Sequence, residues 1–251
     1  GGPANRQGGI AADHMLRPDI AKAYPGSLGT AIVRVFSVAA GVTGWTEKRM
    51  REAGHPCASV IVNDHQHATY YPGAKPLTLK IVWDPQTGRV VGAQATGCKG
   101  VDKRLDVLAA CIQNEATIDD LCHLELAYAP PFGSAKDIIN LAGFAATNLR
   151  DGLVIQTDDL SFSGVQIVDV RPKPVADAFP LAGSINIPFP TLRTTLDKLY
   201  RRHPVITVCA FGKMSYFAAR ILAQNGFQVQ SYSGGIKGNL DPRSPAKLPT
   251  A

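Results

Sequence analysis

The spacing of apolar residues divides this chain into two segments with different secondary structure. In the first segment, alternating or β-branched runs predict strands over residues 30–38, 58–63, 77–84 and 89–96. The last two runs flank a turn at residues 85–88 and are therefore predicted to form a hairpin. These strands are expected to build an antiparallel sheet.

Apolar residues three and four positions apart predict helices between and after these strands. The clearest helix covers residues 101–114, whose apolar face consists of Val101, Leu105, Leu108 and Ile112. Lys103 and Arg104 fall outside that face. Further helical segments are predicted over residues 8–23, 46–53, 117–121 and 134–148. With helices on one side of the sheet, residues 1–149 are predicted to form an α+β domain.

The second segment alternates strands with helices, which is typical of a small α/β domain with a parallel sheet over residues 150–251. Its strands are predicted over residues 166–171, 182–188, 204–208 and 229–233. Its helices are predicted over residues 173–178, 192–201 and 217–223. In such a sheet the ligand site lies beyond the carboxyl ends of the strands.

Cys209 follows the buried strand at residues 204–208 and precedes a loop that opens a helix. Backbone N–H groups of such a loop, together with the positive end of the helix, would favour a thiolate at this position. The thiolate is the nucleophilic form of cysteine. The alternative is a small buried apolar residue that ends a strand. Both interpretations are open from these residues alone.

Composition narrows the class of protein without naming a function. The 251 residues are 45% hydrophobic and 18% charged, with a net charge of +6 that is spread along the chain. The mild positive charge permits an anionic ligand, but no nucleic-acid module is recognisable, and we expect no nucleic-acid partner. No apolar run is long enough to span a membrane, so we expect no membrane partner and a cytoplasmic location.

The cysteines indicate neither a disulfide framework nor a zinc site, because they are odd in number, widely spaced and lack a C-x-x-C pair. They are Cys57, Cys98, Cys111, Cys122 and Cys209. His65 and His67 could share a metal ion, but no further ligand is near them in sequence. We therefore expect no metal site.

Four motifs of the first segment resemble the C-terminal dimerisation domain of coenzyme A-disulfide reductases. These enzymes are pyridine nucleotide-disulfide oxidoreductases, as are NADH oxidases and NADH-dependent persulfide reductases. The motifs lie at residues 2–8, 67–74, 100–107 and 124–137, in the order that the family has them. The resemblance covers residues 1–149 and implies a homodimer whose tyrosines reach the partner subunit's active site and help bind coenzyme A.

The resemblance also implies particular substrate-binding residues. Tyr128 and Lys136 match positions that contact substrate, and Asn5 matches a polar position near it. One of Tyr70 and Tyr71 matches a further tyrosine, and the sequence does not distinguish them. The alternative for each residue is an ordinary surface or interface side chain.

The sequence departs from the family because it contains no G-x-G-x-x-G dinucleotide fingerprint. The resemblance therefore implies that the chain corresponds to the C-terminal half of such an enzyme, with residues 1–23 as the last helix on the flavin side. FAD, NAD(P)H and coenzyme A are implied for the full-length parent. The chain alone is expected to bind no cofactor tightly.

The second segment resembles a rhodanese domain in four motifs. These are Asp169-Val170-Arg171, the stretch at residues 183–188, the Cys209 loop, and Ser233-Gly234-Gly235-Ile236. The family pattern Cys-x-x-Gly-x-Arg-Ser here has Met214 in place of the arginine, with Lys213 beside it. Since lysine lacks the bidentate fork of arginine, this change puts thiosulfate binding in question more than persulfide chemistry.

The rhodanese resemblance implies that Cys209 is the catalytic nucleophile and carries sulfane sulfur as a persulfide. The persulfide would be held by the loop residues Ala210, Phe211, Gly212, Lys213, Met214 and Ser215. Asp169 and Arg171 are expected to support the loop. The chain is thus interpreted as part of a coenzyme A-disulfide or persulfide reductase, with sulfurtransferase activity of its own. The alternative is a non-catalytic rhodanese-like binding or regulatory module.

Overall fold

A computed structural model describes residues 1–161 and 163–238 and contains two five-stranded sheets that follow one another along the chain. The first sheet is antiparallel, with the strand order β1-β2-β5-β4-β3. Its strands are β1 (Ala31–Val35), β2 (Val38–Gly44), β3 (Ala58–His65), β4 (Pro76–Trp83) and β5 (Val90–Gly97). The antiparallel sheet predicted for this segment is confirmed.

The single strand predicted over residues 30–38 is wrong, because the chain turns back at Phe36 and Ser37. Phe36 has a φ of 52°, which lets β1 and β2 pair with Val35 opposite Val38. Apolar residues continue through the turn, and neither Gly nor Asn marks it. The sequence pattern therefore gave no signal for the turn, and strand β2 was not predicted as a separate element.

Helices cover this sheet and complete the core of the first segment. They are α1 (Gly2–Leu16), α2 (Glu47–Glu52), α3 (Val101–Gln113), α4 (Ile118–His123) and α5 (Ile138–Arg150). The predicted apolar face of α3 packs on β2 and β5 through Leu105 and Leu108, which are fully buried in the same core as Leu79 and Ile81. In contrast, α1 has no buried residue.

Arg104 was placed outside the apolar face of α3, but its side chain is buried in the structure, with only 2% exposure. Its guanidinium forms an ion pair with Asp137, which is 4% exposed, and donates a hydrogen bond to the Gln66 carbonyl oxygen at 2.8 Å. Asp137 in turn accepts a hydrogen bond from the backbone N–H of Ile139 and caps α5. The buried charge is tolerated because it is paired and hydrogen-bonded.

The second sheet is parallel throughout, with the order β6-β10-β9-β7-β8, which confirms the predicted α/β class. Its strands are β6 (Gln156–Thr157), β7 (Gln166–Asp169), β8 (Ser184–Asn186), β9 (Val205–Val208) and β10 (Val229–Tyr232). Its helices are α6 (Lys173–Ala178), α7 (Lys213–Gln224) and α8 (Gly235–Gly238). Only β6 lacks a counterpart among the predicted strands.

The α-helix predicted over residues 192–201 is wrong. Two short 3₁₀ helices stand there instead, Phe189–Thr194 and Leu196–Lys198. The hydroxyl of Thr195 donates to the Thr191 carbonyl oxygen at 2.9 Å, as does the hydroxyl of Thr194 at 3.0 Å. Such side-chain bonds to nearby carbonyl groups compete with regular α-helical hydrogen bonding.

Hydrogen bonds join the two segments directly. Asn63 on β3 donates to the carbonyl oxygens of Phe211 and Gly234, and Asn148 on α5 donates to the Tyr216 hydroxyl. Because α5 ends at Arg150, we retain a division into domains of residues 1–149 and 150–251 as a proposal. In the described ranges, no helix is long and apolar enough to cross a membrane.

Candidate functional site

Cys209 lies at the carboxyl end of β9, the central strand of the parallel sheet. All four residues of β9 are buried, because the strand pairs with β7 on one side and β10 on the other. Cys209 is itself only 4% exposed. The chain then passes through a short loop into α7, whose amino-terminal end faces the sulfur.

Two backbone N–H groups donate hydrogen bonds to the Cys209 sulfur. The Gly212 nitrogen lies 3.1 Å and the Ser215 nitrogen 3.3 Å from Cys209 Sγ. The Cys209 thiol in turn donates to the Ser215 hydroxyl oxygen at 3.5 Å, and that hydroxyl donates to the Gly212 carbonyl oxygen at 2.8 Å. Donors aimed at one atom from a loop and the first turn of a helix stabilise negative charge there, so the site favours a thiolate or a persulfide anion.

The other predicted loop residues surround the sulfur without donating to it. Among the described residues, no hydrogen bond joins the backbone N–H groups of Ala210, Phe211, Lys213 or Met214 to Cys209 Sγ. Lys213 and Met214 are exposed at the start of α7, and Met214 keeps 44% of its surface accessible. These four residues line a cavity together with Cys209.

Glycine residues allow the Cys209 loop to pack against the turn after β10. Gly235 has a φ of 64°, and a Cβ atom there would lie 2.4 Å from the Gly212 nitrogen and 2.6 Å from the Cys209 carbonyl oxygen. The following backbone N–H groups of Ile236 and Lys237 donate to the carbonyl oxygens of Cys209 and Ala210, both at 2.9 Å. The loop is therefore fixed by backbone contacts that only glycine permits.

Asp169 and Arg171 form a buried pair beside this loop. Arg171 Nε lies 2.9 Å and 3.0 Å from the two carboxylate oxygens of Asp169, and its Nη2 donates to the Phe179 carbonyl oxygen at 2.8 Å. Asn186 donates to the carbonyl oxygens of both residues. Because the carboxylate already engages the Arg171 guanidinium, the pair is arranged to hold the strand ends rather than to bind an anion.

A cavity of about 260 Å³ opens onto Cys209 between the two sheets. One wall comes from the second segment: Val170, Arg171, Pro172, Cys209, Ala210, Phe211, Lys213 and Met214. The facing wall comes from the end of β3: Asn63, Asp64 and His65. The sequence analysis missed these three residues as part of the Cys209 site. No local signal pointed to them, because they meet Cys209 only when the two segments dock.

A second group of predicted residues lies together on the first segment. The hydroxyl groups of Tyr70 and Tyr128 are 2.9 Å apart, and both rings are exposed, with 74% and 48% of their surfaces accessible. The hydrogen bond with Tyr128 raises the pKa of the Tyr70 hydroxyl. Tyr71 instead contacts His67, edge to face, at a ring distance of 5.6 Å. This geometry favours Tyr70 over Tyr71 as the partner of Tyr128.

Lys136 and Asn5 have other contacts in the described residues. Lys136 is exposed, and its ammonium group lies 5.7 Å from the centre of the Phe144 ring. Asn5 is on α1 and donates to the Gly1 carbonyl oxygen of its own helix. No recorded contact joins either residue to Tyr70, Tyr128 or Cys209 in the part of the chain that the structure describes.

The environment of Cys209 differs from that of two other partly or fully buried cysteines. Burial raises the pKa of the Cys111 and Cys122 thiols. Cys122 donates to the Ile118 carbonyl oxygen, and Cys209 donates to the Ser215 hydroxyl oxygen. The Cys209 sulfur also accepts from two backbone N–H groups. All five cysteines are unpaired. Cys209 therefore has N–H donors from a loop and from the first turn of a helix, a setting that is typical of a reactive cysteine.

The imidazole rings of His65 and His67, the pair that could share a metal ion by sequence, have separate partners. His67 Nδ1 is 3.0 Å from the Ala68 carbonyl oxygen, and His65 Nδ1 is 3.6 Å from Asp64 Oδ1. Across the described residues, no group of three or more His, Cys, Asp or Glu side chains is arranged to hold a metal ion.

Two family models match different parts of the chain. Residues 30–137 match the pyridine nucleotide-disulphide oxidoreductase dimerisation domain. Residues 156–240 match the rhodanese-like domain. The first match contains Asn63, and the second contains Cys209, so the two walls of the Cys209 cavity come from different families.

Relatives and solved structures agree with this combination. Coenzyme A disulfide reductase of Staphylococcus aureus (strain bovine RF122 / ET3-1) is 36% identical over 57% of this chain and 32% of its own length. The crystal structure of reduced Bacillus anthracis CoADR-RHD superposes with a TM-score of 0.89 at 38% identity, over 94% of this chain and 43% of that one. An NAD-dependent persulfide reductase from A. fulgidus gives 0.81 at 37% identity, over 87% and 40%. The chain thus spans about a third of the length of the curated relatives it matches.

Proposed function

Because this chain joins a pyridine nucleotide-disulphide oxidoreductase dimerisation domain to a rhodanese-like domain, we propose that it is part of a coenzyme A-disulfide or persulfide reductase and that Cys209 carries sulfane sulfur. The observation that carries this proposal is the pair of N–H groups, from Gly212 and Ser215, that donate to a cysteine sulfur facing a cavity. The relatives named reductases of coenzyme A disulfide and of persulfides support it.

In the first step the Cys209 thiolate attacks the outer sulfur of the donor. With a persulfide donor, the donor's S–S bond breaks, its inner sulfur leaves as a thiolate, and Cys209 becomes a persulfide. With thiosulfate, sulfite leaves in the same way. No net oxidation occurs, since one S–S bond replaces another. The N–H groups at the start of α7 stabilise the terminal sulfur of the product, which carries negative charge.

In the second step an acceptor thiolate or cyanide attacks that outer sulfur, and the Cys209 thiolate leaves. The two N–H donors at Cys209 Sγ, from Gly212 and Ser215, stabilise the negative charge that returns to this atom. Asp169 and Arg171 contribute by holding the ends of β7 and the loop in place rather than by touching the reacting atoms. The site can therefore load and unload sulfur without changing its own fold.

The first domain supplies the remaining parts of the proposal. Tyr70 and Tyr128, with Lys136, Asn5 and the alternative Tyr71, would bind coenzyme A or a related thiol across the interface of a homodimer in the cytoplasm. FAD and NAD(P)H belong to a longer parent. The sequence lacks the G-x-G-x-x-G turn that holds the pyrophosphate of such cofactors, so we assign none of its residues to them. No step above uses them.

A second candidate function is a non-catalytic rhodanese-like binding or regulatory module. Met214 favours it, because this apolar side chain lines the Cys209 cavity at the position where the family pattern has arginine. A site that has lost a cation for an anionic donor could retain the fold and serve only recognition. Sulfur loading of Cys209 distinguishes the two functions.

The test is the intact mass of the protein after brief exposure to thiosulfate or, separately, to glutathione persulfide. We expect one added sulfur atom in the wild type and none on Cys209→Ser. Cys111→Ser is the matched control, because it removes a buried thiol that has no N–H cradle and should load normally. Absence of an adduct from both donors would overturn the sulfurtransferase proposal and favour the binding module.

A further inference from the structure

The peptide group between Phe211 and Gly212 is held from both of its ends. Its N–H, on Gly212, donates to Cys209 Sγ at 3.1 Å. Its carbonyl oxygen, on Phe211, accepts a hydrogen bond from Asn63 Nδ2 at 3.1 Å. Because a peptide group is planar and its N–H and C=O point in opposite directions, fixing the carbonyl also fixes the direction of the N–H that points at the sulfur.

The same amide nitrogen reaches the other side of the loop. Asn63 Nδ2 lies 2.8 Å from the Gly234 carbonyl oxygen. Gly234 packs against Gly212, where an added Cβ atom would lie 3.1 Å from the Gly234 backbone. The two donors of one amide therefore bind the Cys209 loop and the turn after β10 together.

Asn63 is itself anchored within the first domain. Its Oδ1 accepts a hydrogen bond from the Thr78 hydroxyl at 2.6 Å, and the two residues are direct partners in the pairing of β3 with β4. This bond assigns the oxygen to Thr78 and the nitrogen to the two carbonyl groups. The reverse orientation would set Oδ1 against two carbonyl oxygens and leave three acceptors without a donor.

We propose that Asn63 is a positioning residue for Cys209, so that the first domain completes the sulfur site of the second. Its amide aligns the Phe211–Gly212 peptide, and this peptide stabilises the charged sulfur. The inference concerns the reactivity of the Cys209 thiol, and it rests on the proposed function only for its effect on sulfur transfer. Docking of the two domains thereby becomes part of the chemistry at Cys209.

An interdomain contact elsewhere provides the matched control. Asn148 on α5 also crosses between the domains, where it donates to the Tyr216 hydroxyl at 3.0 Å. In the described part of the chain, neither the Asn148 amide nor the Tyr216 hydroxyl is hydrogen-bonded to the Cys209 sulfur or to the Phe211 and Gly234 carbonyl groups. The Tyr216 backbone N–H donates to the Gly212 carbonyl oxygen at 3.0 Å, and Asn148→Ala leaves that bond in place. Asn148→Ala therefore removes one interdomain hydrogen bond, as Asn63→Ala does, without releasing the Phe211–Gly212 peptide.

The experiment measures the rate at which iodoacetamide alkylates Cys209 as a function of pH, followed by mass spectrometry of the Cys209 peptide. We expect Asn63→Ala to slow alkylation at pH 7 by about five- to tenfold, the loss that one aligned hydrogen bond brings, and to move the pH midpoint upward. Thr78→Val should give a smaller change in the same direction. Asn148→Ala should stay within about twofold of the wild type.

The outcomes separate this inference from the proposed function. An unchanged pH profile in Asn63→Ala, or an equal loss in Asn148→Ala, would overturn the positioning role. If Asn63→Ala does not fold, as judged by circular dichroism, a wild-type profile in Thr78→Val would overturn it instead. If the wild type fails to load sulfur while Asn63→Ala still alters alkylation, the positioning role stands and the sulfurtransferase proposal fails.

Discussion

At the scale of single residues, the chemistry of Cys209 depends on what its sulfur accepts rather than on how deeply it lies. Cys209 and Cys111 are both buried, at 4% and 9% exposure. Burial raises the pKa of the Cys111 thiol, whereas Gly212 and Ser215 donate hydrogen bonds to Cys209. In general, desolvation disfavours a charged thiol, whereas hydrogen bonds to a sulfur atom stabilise negative charge on it.

We predict that Met214 determines which sulfur donors the Cys209 cavity accepts. We expect Met214→Arg to lower the KM for thiosulfate by about tenfold or more, because a guanidinium at the cavity wall adds charge-assisted hydrogen bonds to the donor's sulfonate oxygens. The rate with a neutral aryl or alkyl persulfide should change little. Steady-state kinetics of sulfur transfer to cyanide with the two donors measures both values.

Met214→Leu is the control for that experiment, since it keeps an apolar side chain of similar volume and should leave both donors unaffected. An unchanged KM for thiosulfate in Met214→Arg would contradict the assignment of position 214 to donor recognition.

At the scale of elements, ion pairs help to hold helices of the first domain in place. Arg104 of α3 pairs with Asp137, which caps α5, and Glu47 of α2 pairs with Lys80 of β4. The apolar spacing of α3 correctly identified its buried face, yet it placed Arg104 outside that face. Arg104 is buried because its guanidinium is hydrogen-bonded to Asp137 and to the Gln66 carbonyl oxygen, which come from other parts of the chain. A helical pattern reports which side of a helix is apolar, but it contains no information about a charged partner 33 residues away.

Glu47, the first residue of α2, makes the attachment of that helix dependent on pH. Partial burial raises the pKa of Glu47, but hydrogen bonds from Lys80 and Ser59 and the charge of Arg51 outweigh it, so the pKa is lowered overall. A lowered pKa in the folded state gives stability that is present above the unfolded pKa of 4.5 and lost as pH falls through the folded value. We expect Glu47→Gln to lower the free energy of unfolding by about 1–2 kcal/mol at pH 7.

Urea denaturation from pH 7 to pH 3.5 measures that difference, which should shrink as the wild-type carboxylate becomes protonated. Glu52→Gln is the control, because Glu52 is 62% exposed and lies 3.8 Å from Lys48. Its substitution should change stability little at any pH. A pH-independent difference for Glu47→Gln would contradict the role assigned to the charge.

At the scale of the whole molecule, the first domain leaves apolar surface uncovered. The β1–β2 hairpin exposes Ile32, Val33 and Val35 to more than half of their surfaces, and Phe36 is 96% exposed. Contiguous exposed apolar residues are typical of an interaction surface. This is consistent with the dimerisation-domain match, whose range includes the hairpin.

We expect the chain to be a homodimer in solution. Multi-angle light scattering over a dilution series should give twice the mass of one chain at the higher concentrations. A mass of one chain at every concentration would contradict this expectation. It would also remove the support for a coenzyme A site that is shared between subunits.

The sequence by itself determined the features that depend on neighbouring residues. Period-two and helical spacing separated an antiparallel α+β segment from a parallel α/β segment, and the strand before Cys209 placed its sulfur at a strand tip. These features follow from local periodicity and backbone conformation, which a short window of residues contains. The same window failed where apolar residues ran through a turn at Phe36.

Only the tertiary structure decided how distant residues combine. Asn63 meets Phe211 across 148 positions and Gly234 across 171, and Arg104 meets Asp137 between two helices. Tyr70 rather than Tyr71 faces Tyr128 for the same reason. Each of these pairings depends on how whole elements dock, and docking is set by the fit of two complete surfaces. No local spacing of residues encodes it, so the wall that β3 contributes to the Cys209 cavity became visible only in the folded chain.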